Sequence, residues 1–193
     1  RKVRPMSLLP LRTLDDAPAE ARPRLEAAQK NNGFLPNLVR LLANAPVALE
    51  TYQTVSAINA RASLTLAERE AVQITAAATH GCGFCVAGHS AIADKKAQMD
   101  GAVTQALRDG TAVPDARLDA VARFTRAVIA TRGAVGDADL AVFKAAGFDN
   151  AAALEVVLGV SLATLCNFAN NLGQPDLNPE LAAYEWRPAV PAQ

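Results

Sequence analysis

The stretch TLAEREAVQITAAATHGCGFCVAGH, residues 65–89, contains the two most clearly marked helices of the chain. Thr65 and Glu68 have the spacing of a capping box, in which the threonine side chain accepts from the Glu68 amide and the carboxylate accepts from the Thr65 amide. This box predicts a helix over residues 66–79. A His-Gly pair then ends the pattern, and a second helix is expected over residues 82–97.

The rest of the chain also has the composition of a helical protein. Aromatic residues make up only 5% of it, alanine is frequent, and alternating β-branched runs are nearly absent, so we predict an all-α fold. Asp137 and Asn150 are natural N-caps for two of the helices. The other expected helices cover residues 17–31, 36–43, 46–62, 101–108, 116–131, 137–146 and 150–172, with a last turn or two over 180–186.

A chain of 193 residues is long enough for one domain with a substantial core. Prolines near both ends of the chain interrupt helix formation there. We therefore expect an N-terminal arm over residues 1–14, a helical domain over 15–175 and a C-terminal tail over 176–193. Tyr184 and Trp186 are expected to anchor that tail to the body or to a neighbouring subunit.

Charge and hydropathy narrow the possible partners and location. The formal net charge is zero and the basic residues are scattered, which argues against nucleic acid and membrane surfaces as partners. The N-terminal residues lack the apolar core of a secretory signal, so a cytoplasmic protein is expected. The charge-free stretch 156–175 contains several asparagines, which makes it too polar for a lipid-facing span and predicts a buried helix.

Cys82, Cys85 and His89 form the most reactive group in the sequence. On a helix their spacing places all three within about 60° of one another, so they share one face. The helix N-terminus stabilises a thiolate, and His89 offers a second means of deprotonation. Two cysteines three residues apart can also close a disulfide without unfolding the helix. In a chain without an export signal this pattern indicates thiol redox chemistry or metal binding.

Glu70 interrupts an apolar stripe that is formed by Leu66, Ile74 and Ala77 on the preceding helix. A carboxylate in that register faces the interior. Because burial disfavours the charged form, Glu70 is suited to take up a proton and return it. The alternative is a structural role, with Glu70 in a salt bridge to an arginine from another helix.

Three alternatives accompany the redox interpretation of the cysteines. His80, Cys82, Cys85 and His89 are four zinc-type ligands within ten residues, although structural zinc sites usually draw their ligands from separate segments. The two cysteines could also be inert core residues. His80 could simply close its helix, where a histidine interacts well with the dipole. Cys166, which has apolar and small neighbours, is expected to be core packing.

The run Glu70, Cys82-x-x-Cys85 and His89 resembles the Glu-x11-Cys-x2-Cys-x3-His signature of the carboxymuconolactone decarboxylase and AhpD-like alkylhydroperoxidase superfamily, especially its peroxidase-related members. The segments 32–37 and 167–173 are also similar, so the resemblance covers about residues 30–175.

The resemblance implies an AhpD-like multi-helical bundle and a thiol-dependent peroxidase that reduces alkyl hydroperoxides. Glu70 would begin a proton relay, His89 would help to activate a cysteine, and the two thiols would end as a disulfide. In the family, the second cysteine attacks the peroxide, which makes Cys85 peroxidatic and Cys82 resolving. The helix dipole instead favours the thiolate of Cys82, which is nearer the helix start, so the roles of the two cysteines stay open. No cofactor is implied beyond an external reductant such as a lipoyl or thioredoxin-like thiol donor.

The resemblance also implies a homo-oligomer, a trimer or a hexamer. The sequence departs from the family pattern at one position of the site. AhpD-like relays use a histidine between the two cysteines, where this chain has Phe84. Phe84 cannot carry a proton, so rapid peroxidase turnover is not implied. Two other functions therefore stay open: an acid/base enzyme of the carboxymuconolactone decarboxylase type, and a non-enzymatic redox sensor.

Overall fold

The computed structural model describes residues 7–188, and this part of the chain is helical without any strand. The all-α prediction is confirmed. The helices are α1 (Arg22–Asn32), α2 (Asn37–Leu42), α3 (Pro46–Asn59), α4 (Leu66–Thr79), α5 (Gly83–Lys95), α6 (Gly101–Asp109), α7 (Ala116–Thr131), α8 (Asp137–Ala145) and α9 (Asn150–Gly173), followed by a 3₁₀ segment over Pro179–Tyr184. The ends of the predicted arm and tail, residues 1–6 and 189–193, lie outside the described residues.

The start of α1 and the N-caps of α8 and α9 differ from the sequence prediction. Helix α1 begins at Arg22 rather than residue 17, because Pro23 lacks an amide hydrogen and fits only the first turn. The N-cap of α8 is Gly136, one residue before the predicted Asp137. The N-cap of α9 is Asp149 rather than Asn150, and its carboxylate accepts a hydrogen bond of 2.8 Å from the amide of Ala152.

Helix α4 begins at the predicted capping box. The Thr65 hydroxyl accepts from the Glu68 amide at 3.2 Å, and the Glu68 carboxylate accepts from the Thr65 amide at 2.8 Å. The other Glu68 oxygen accepts from Nε of Arg117 at 2.5 Å. Because Arg117 belongs to α7, the box that starts α4 also ties it to a neighbouring helix.

Helix α9 is the central element and packs against α2, α3, α4, α5 and α7. Gly159 permits its crossing with α4, because a Cβ there would lie 2.9 Å from Cγ1 of Val72. Within the described residues α9 is the one helix long and apolar enough to cross a membrane, a test that the core helix of a soluble protein also passes. Its contacts with five helices make it part of the core, but Leu154, Phe168 and Leu172 on it are exposed, so the prediction of a buried helix is confirmed only in part.

The buried side chains form two clusters on either side of α4 and α9. The first is centred on Phe124, Phe143 and Phe148, whose rings stack with centroids 4.2 and 4.4 Å apart. The second, which we call the cysteine cluster, contains Leu25, Leu49, Val86, Leu162 and the three cysteines. The predicted redox residues therefore lie in the smaller core, between α3, α5 and the C-terminal half of α9.

The described part of the tail is held against the body. Asn178 is buried and accepts a hydrogen bond of 2.8 Å from the amide of Asn37. The Tyr184 hydroxyl donates to the carboxylate of Asp94 at 2.6 Å. Trp186 packs against the cysteine cluster. The prediction that Tyr184 and Trp186 anchor the tail is confirmed.

Candidate active site

Cys82 and Cys85 lie at the start of α5, as the sequence predicted. Gly81 turns the chain from α4 into α5 with a φ of +69°, a conformation that favours glycine. Cys82 is the N-cap, and its sulfur accepts a hydrogen bond of 3.4 Å from the amide of Cys85. Both thiols are free and buried, with 1% of Cys82 and 4% of Cys85 exposed.

The surroundings of Cys85 favour its thiolate. A hydrogen bond from the Cys82 thiol is the main cause that lowers the pKa of Cys85 to about 7, and it outweighs the opposing effect of burial. The charge of His89 and the side-chain amide of Asn170, whose Nδ2 lies 3.2 Å from Sγ of Cys85, lower it further. The same sulfur–sulfur hydrogen bond and burial raise the pKa of Cys82. Of the two thiols of the pair, Cys85 is therefore the more acidic.

Glu70 is buried and lies against His89. Nδ1 of His89 is 2.7 Å from Oε2 of Glu70, so the imidazole donates to the carboxylate. Burial lowers the pKa of His89, but the charge and the hydrogen bond of Glu70 outweigh it and leave the pKa raised. The alternative of a salt bridge between Glu70 and an arginine is wrong, because the partner is His89. A carboxylate, an imidazole and a thiol thus lie in series from α4 to α5.

Three asparagines of α9 complete the surroundings of the cysteines. Besides Asn170, Asn167 is hydrogen-bonded to Nδ1 of His80 through Oδ1 at 3.0 Å and also lowers the pKa of Cys85. Asn171 donates to the carbonyl oxygen of His80 at 2.8 Å. The sequence analysis gave these asparagines no role. Their spacing of i, i+3 and i+4 within an apolar helix was the available signal, because it places three amides on one face.

Tyr52 of α3 is a second residue that sequence reasoning missed. Its ring packs against the cysteine cluster. Burial raises the pKa of its hydroxyl, and the neighbouring Cys166 and Cys85 raise it further. Nothing in the local sequence connects Tyr52 with the cysteines. Cys166 is a buried core residue, as predicted, and burial raises the pKa of its thiol.

A cavity of about 360 Å³ opens beside the cysteine pair. This volume lies within the range of about 300–1,000 Å³ typical of small-molecule sites. Cys82 lines the cavity, whereas Cys85 is not among its lining residues. We call this the thiol cavity. Its lining includes His80, Cys82, Gly83, Phe84, Asn170 and Asn171.

The ring contacts of the two histidines bear on the zinc alternative. His80 closes α4 as its C-cap, as expected, and its ring is hydrogen-bonded to Asn167 and meets Phe168 edge-on. The ring of His89 is hydrogen-bonded to Glu70. Among residues 7–188, no three or more histidine, cysteine or acidic side chains are grouped to hold a metal ion.

Comparisons with known proteins include a family model that covers the residues of this site. The family model described as "Carboxymuconolactone decarboxylase family" matches residues 46–132, which include Glu70, both cysteines of the pair and His89. No curated protein matches the sequence.

Solved structures share the fold over nearly the whole chain. A peroxidase-related protein of Ralstonia eutropha JMP134, described as an alkylhydroperoxidase AhpD core, has a TM-score of 0.81 at 24% identity and covers 92% of this chain and 95% of its own. A peroxidase-related protein of Silicibacter sp. TM1040 has 0.79 at 19% identity, covering 94% and 96%. The debrominase Bmp8 has 0.73 at 16% identity, covering 93% and 95%.

At these identities the structural likeness establishes the AhpD-like fold, which was predicted from the sequence. The family model adds the residues that carry the Glu-Cys-Cys-His signature. Residues 46–132 of the chain thus match the carboxymuconolactone decarboxylase family model, and the described chain has the AhpD-like fold.

Proposed function

We propose that this protein is a thiol-dependent peroxidase, a disulfide oxidoreductase that reduces alkyl hydroperoxides with Cys82 and Cys85. The observation that carries the proposal is the series Glu70, His89, Cys85, in which a hydrogen bond of 2.7 Å joins the first two and the pKa of the third is lowered to about 7. A thiolate at neutral pH beside a proton-carrying pair is what peroxide reduction requires.

The reaction proceeds in two steps. The Cys85 thiolate attacks the terminal oxygen of the hydroperoxide, the O–O bond breaks, and the alkoxide takes a proton from His89 while Cys85 becomes a sulfenic acid. The Cys82 sulfur then attacks the Cys85 sulfur, a disulfide forms and water leaves. Glu70 holds the imidazole by its Nδ1 hydrogen and stabilises its charged form.

The disulfide needs an external reductant to complete the cycle. Cys82 lines the thiol cavity, whereas Cys85 is not among the lining residues. A dithiol donor, lipoyl or thioredoxin-like, would therefore attack Cys82 and release Cys85 as a thiol. The second thiol of the donor would then release Cys82, so that the donor gives two electrons to the pair and leaves as its own disulfide. Such donors belong to a reducing compartment such as the cytoplasm, which is the location that we propose.

Phe84 occupies the position between the two cysteines where AhpD-like relays carry a histidine. In this chain the proton has to come from the Glu70–His89 pair or from water in the thiol cavity. We therefore expect turnover to be slow, although the hydroperoxide should still be reduced and the disulfide should still form.

Replacement of single residues tests the proposal through the consumption of cumene hydroperoxide with dihydrolipoamide as the reductant. Cys85→Ser and Cys82→Ser should each abolish thiol-dependent consumption, and Glu70→Gln should slow it by about tenfold or more, within the range of general acid–base effects. Cys166→Ala is the matched control and should keep the activity. Full activity in both Cys82→Ser and Cys85→Ser would contradict the mechanism.

Two further results would indicate the other functions that the sequence left open. Conversion of a muconolactone that survives alkylation of all thiols would indicate an acid/base enzyme of the decarboxylase type. Disulfide formation without turnover would indicate a redox sensor.

A second candidate function is reductive debromination, which the walls of the thiol cavity favour. Phe84 lines the cavity together with Cys82, so the cavity has an apolar ring in the same wall as one of the two thiols. A variant of the similar debrominase was solved with 2,3,4-tribromopyrrole. In this reaction the dithiol would become a disulfide, and the carbon–bromine bond would become a carbon–hydrogen bond with release of bromide and a proton. Thiol-dependent bromide release from 2,3,4-tribromopyrrole tests it.

A further inference from the structure

His80 is a second histidine of the thiol cavity, and the proposed oxidation step does not use it. His80 and Cys82 both line the cavity. Oxidation of Cys85 uses His89 and Glu70, which are joined by a hydrogen bond of their own. The reductive half of the cycle, in which an external thiol attacks Cys82, has no proton acceptor among those residues. His80 is the imidazole on the Cys82 side of the site.

Residues of α9 hold both the backbone and the ring of His80. Asn171 donates to the carbonyl oxygen of His80 at 2.8 Å. The ring meets Phe168 edge-on, with the ring centroids 5.1 Å apart. Nδ1 of His80 lies 3.0 Å from Oδ1 of Asn167. Because Asn167 is only 1% exposed, its amide cannot swing out to solvent, and the imidazole is held in one orientation.

The contact with Asn167 also fixes which ring nitrogen carries the hydrogen. An amide oxygen only accepts hydrogen bonds, so Nδ1 of His80 is the donor. The amide hydrogens of Asn167 are on its other side, where a hydrogen bond from this side chain helps to lower the pKa of Cys85. A neutral imidazole with its hydrogen on Nδ1 has its lone pair on Nε2. Over residues 7–188, Nε2 of His80 makes no hydrogen bond and is not buried.

We propose that His80 is the general base of the reductive half-reaction, in which Nε2 takes the proton of the donor thiol that attacks Cys82. The proposal rests on the disulfide cycle of the proposed function. Disulfides are attacked by the thiolate and not by the thiol, and an alkyl thiol is mostly protonated at neutral pH. A positioned imidazole is the commonest group in proteins to remove such a proton.

Protons and electrons balance over the two exchanges. The first donor thiol gives its proton to His80, its sulfur bonds to Cys82, and the bond between Cys82 and Cys85 breaks. The second donor thiol then bonds to the first donor sulfur, and Cys82 leaves with the proton that His80 held. The second donor proton reaches Cys85 through solvent. The donor is oxidised to its disulfide, and the pair is reduced to two thiols.

A comparison of two thiols of different acidity tests this role. Diamide forms the Cys82–Cys85 disulfide without peroxide, and its reduction is then followed by alkylation and mass spectrometry. His80→Ala should slow reduction by dihydrolipoamide at least tenfold, within the range of general base effects. Reduction by 4-mercaptobenzoate, an aromatic thiol that is already largely ionised at neutral pH, should change by less than about twofold. Added imidazole should restore part of the rate with dihydrolipoamide.

Thr79→Ala is the matched control, because Thr79 precedes His80 on α4 and is exposed; it should keep both rates. Equal slowing of both thiols by His80→Ala, or no slowing with dihydrolipoamide, would overturn the proposal. A misfolded variant would also slow both thiols, so far-UV circular dichroism accompanies the assay and His80→Gln serves as a second variant with the same expectation. If peroxide does not oxidise the pair but the diamide disulfide shows this dependence on His80, the peroxidase function fails and the role of His80 stands.

Discussion

Cys85 owes its acidity to neighbours from different parts of the chain. The sequence indicated an activated thiol from the helix start and from His89, both of which are local signals. The structure adds the side-chain amide of Asn170, which is 85 residues away along the chain. Local spacing could predict the first contribution because it acts within one helix. It could not predict the second, which depends on how α9 crosses α5.

The pKa of Cys85 leads to a measurable pH dependence. The pKa of the Cys85 thiol falls from its ordinary value of 9.0 to about 7 in the folded protein. Between these two values the unfolded chain binds more protons than the folded chain. The contribution of this thiol to the free energy of unfolding therefore rises with pH across that window. Thiolate absorbance at 240 nm should show one group per chain titrating near pH 7. The step should vanish in Cys85→Ser and move upward in Asn170→Ala. A single transition near pH 9 would contradict the assignment.

At the scale of elements, Gly83 lets the tail pass over the start of α5. A Cβ at Gly83 would lie 2.7 Å from the backbone oxygen of Trp186. Gly83→Ala should therefore displace the tail, shift the Trp186 emission and lower the free energy of unfolding, although alanine is the better helix former. Chemical denaturation followed by fluorescence measures both effects.

Gly88→Ala provides the matched control on the same helix. A Cβ there would meet nothing within 4 Å, so alanine should stabilise the protein by up to about 1 kcal/mol. The interpretation of the tail contact fails if the two alanines stabilise the protein equally.

The elements also show where sequence reasoning reached its limit. Helices α4 and α5 were predicted well because the capping box and the His-Gly break are local hydrogen-bonding signals. The predicted start of α1 is too early because the alanine-rich residues before Pro23 favour a helix, whereas Pro23 fits only the first helical turn. The caps of α8 and α9 were each misplaced by one residue, since glycine and aspartate stand next to equally suitable capping residues.

At the scale of the whole molecule, α9 leaves large apolar side chains exposed. Leu154 is 71%, Phe168 55% and Leu172 66% exposed. Burial of such a face between copies would recover about 25 cal/mol per Å². We therefore expect a homo-oligomer, a trimer or a hexamer, in sedimentation velocity. Leu154→Glu combined with Leu172→Glu should yield monomers of unchanged helicity, whereas Thr111→Glu in an exposed loop should not. A monomeric unchanged protein would contradict this expectation.

Both cavities depend on the assembled molecule. The sequence identified Glu70, Cys82, Cys85 and His89 because they lie on two consecutive helices with regular spacing. A second cavity, of about 220 Å³, is lined by Thr75 of α4, Arg108 of α6 and Arg126 of α7, which lie on helices that are separated by loops. No periodicity connects such residues, and only the packing of α6 and α7 against α4 brings them together.

The central claim is that Cys82 and Cys85 form a peroxide-reactive pair. It is tested most directly by mass spectrometry of the reduced protein after one equivalent of cumene hydroperoxide. The account predicts rapid loss of two hydrogens per chain, with a disulfide mapped to Cys82 and Cys85 and with Cys166 still a free thiol. An unchanged mass, or a disulfide that includes Cys166 instead of Cys82, would contradict it.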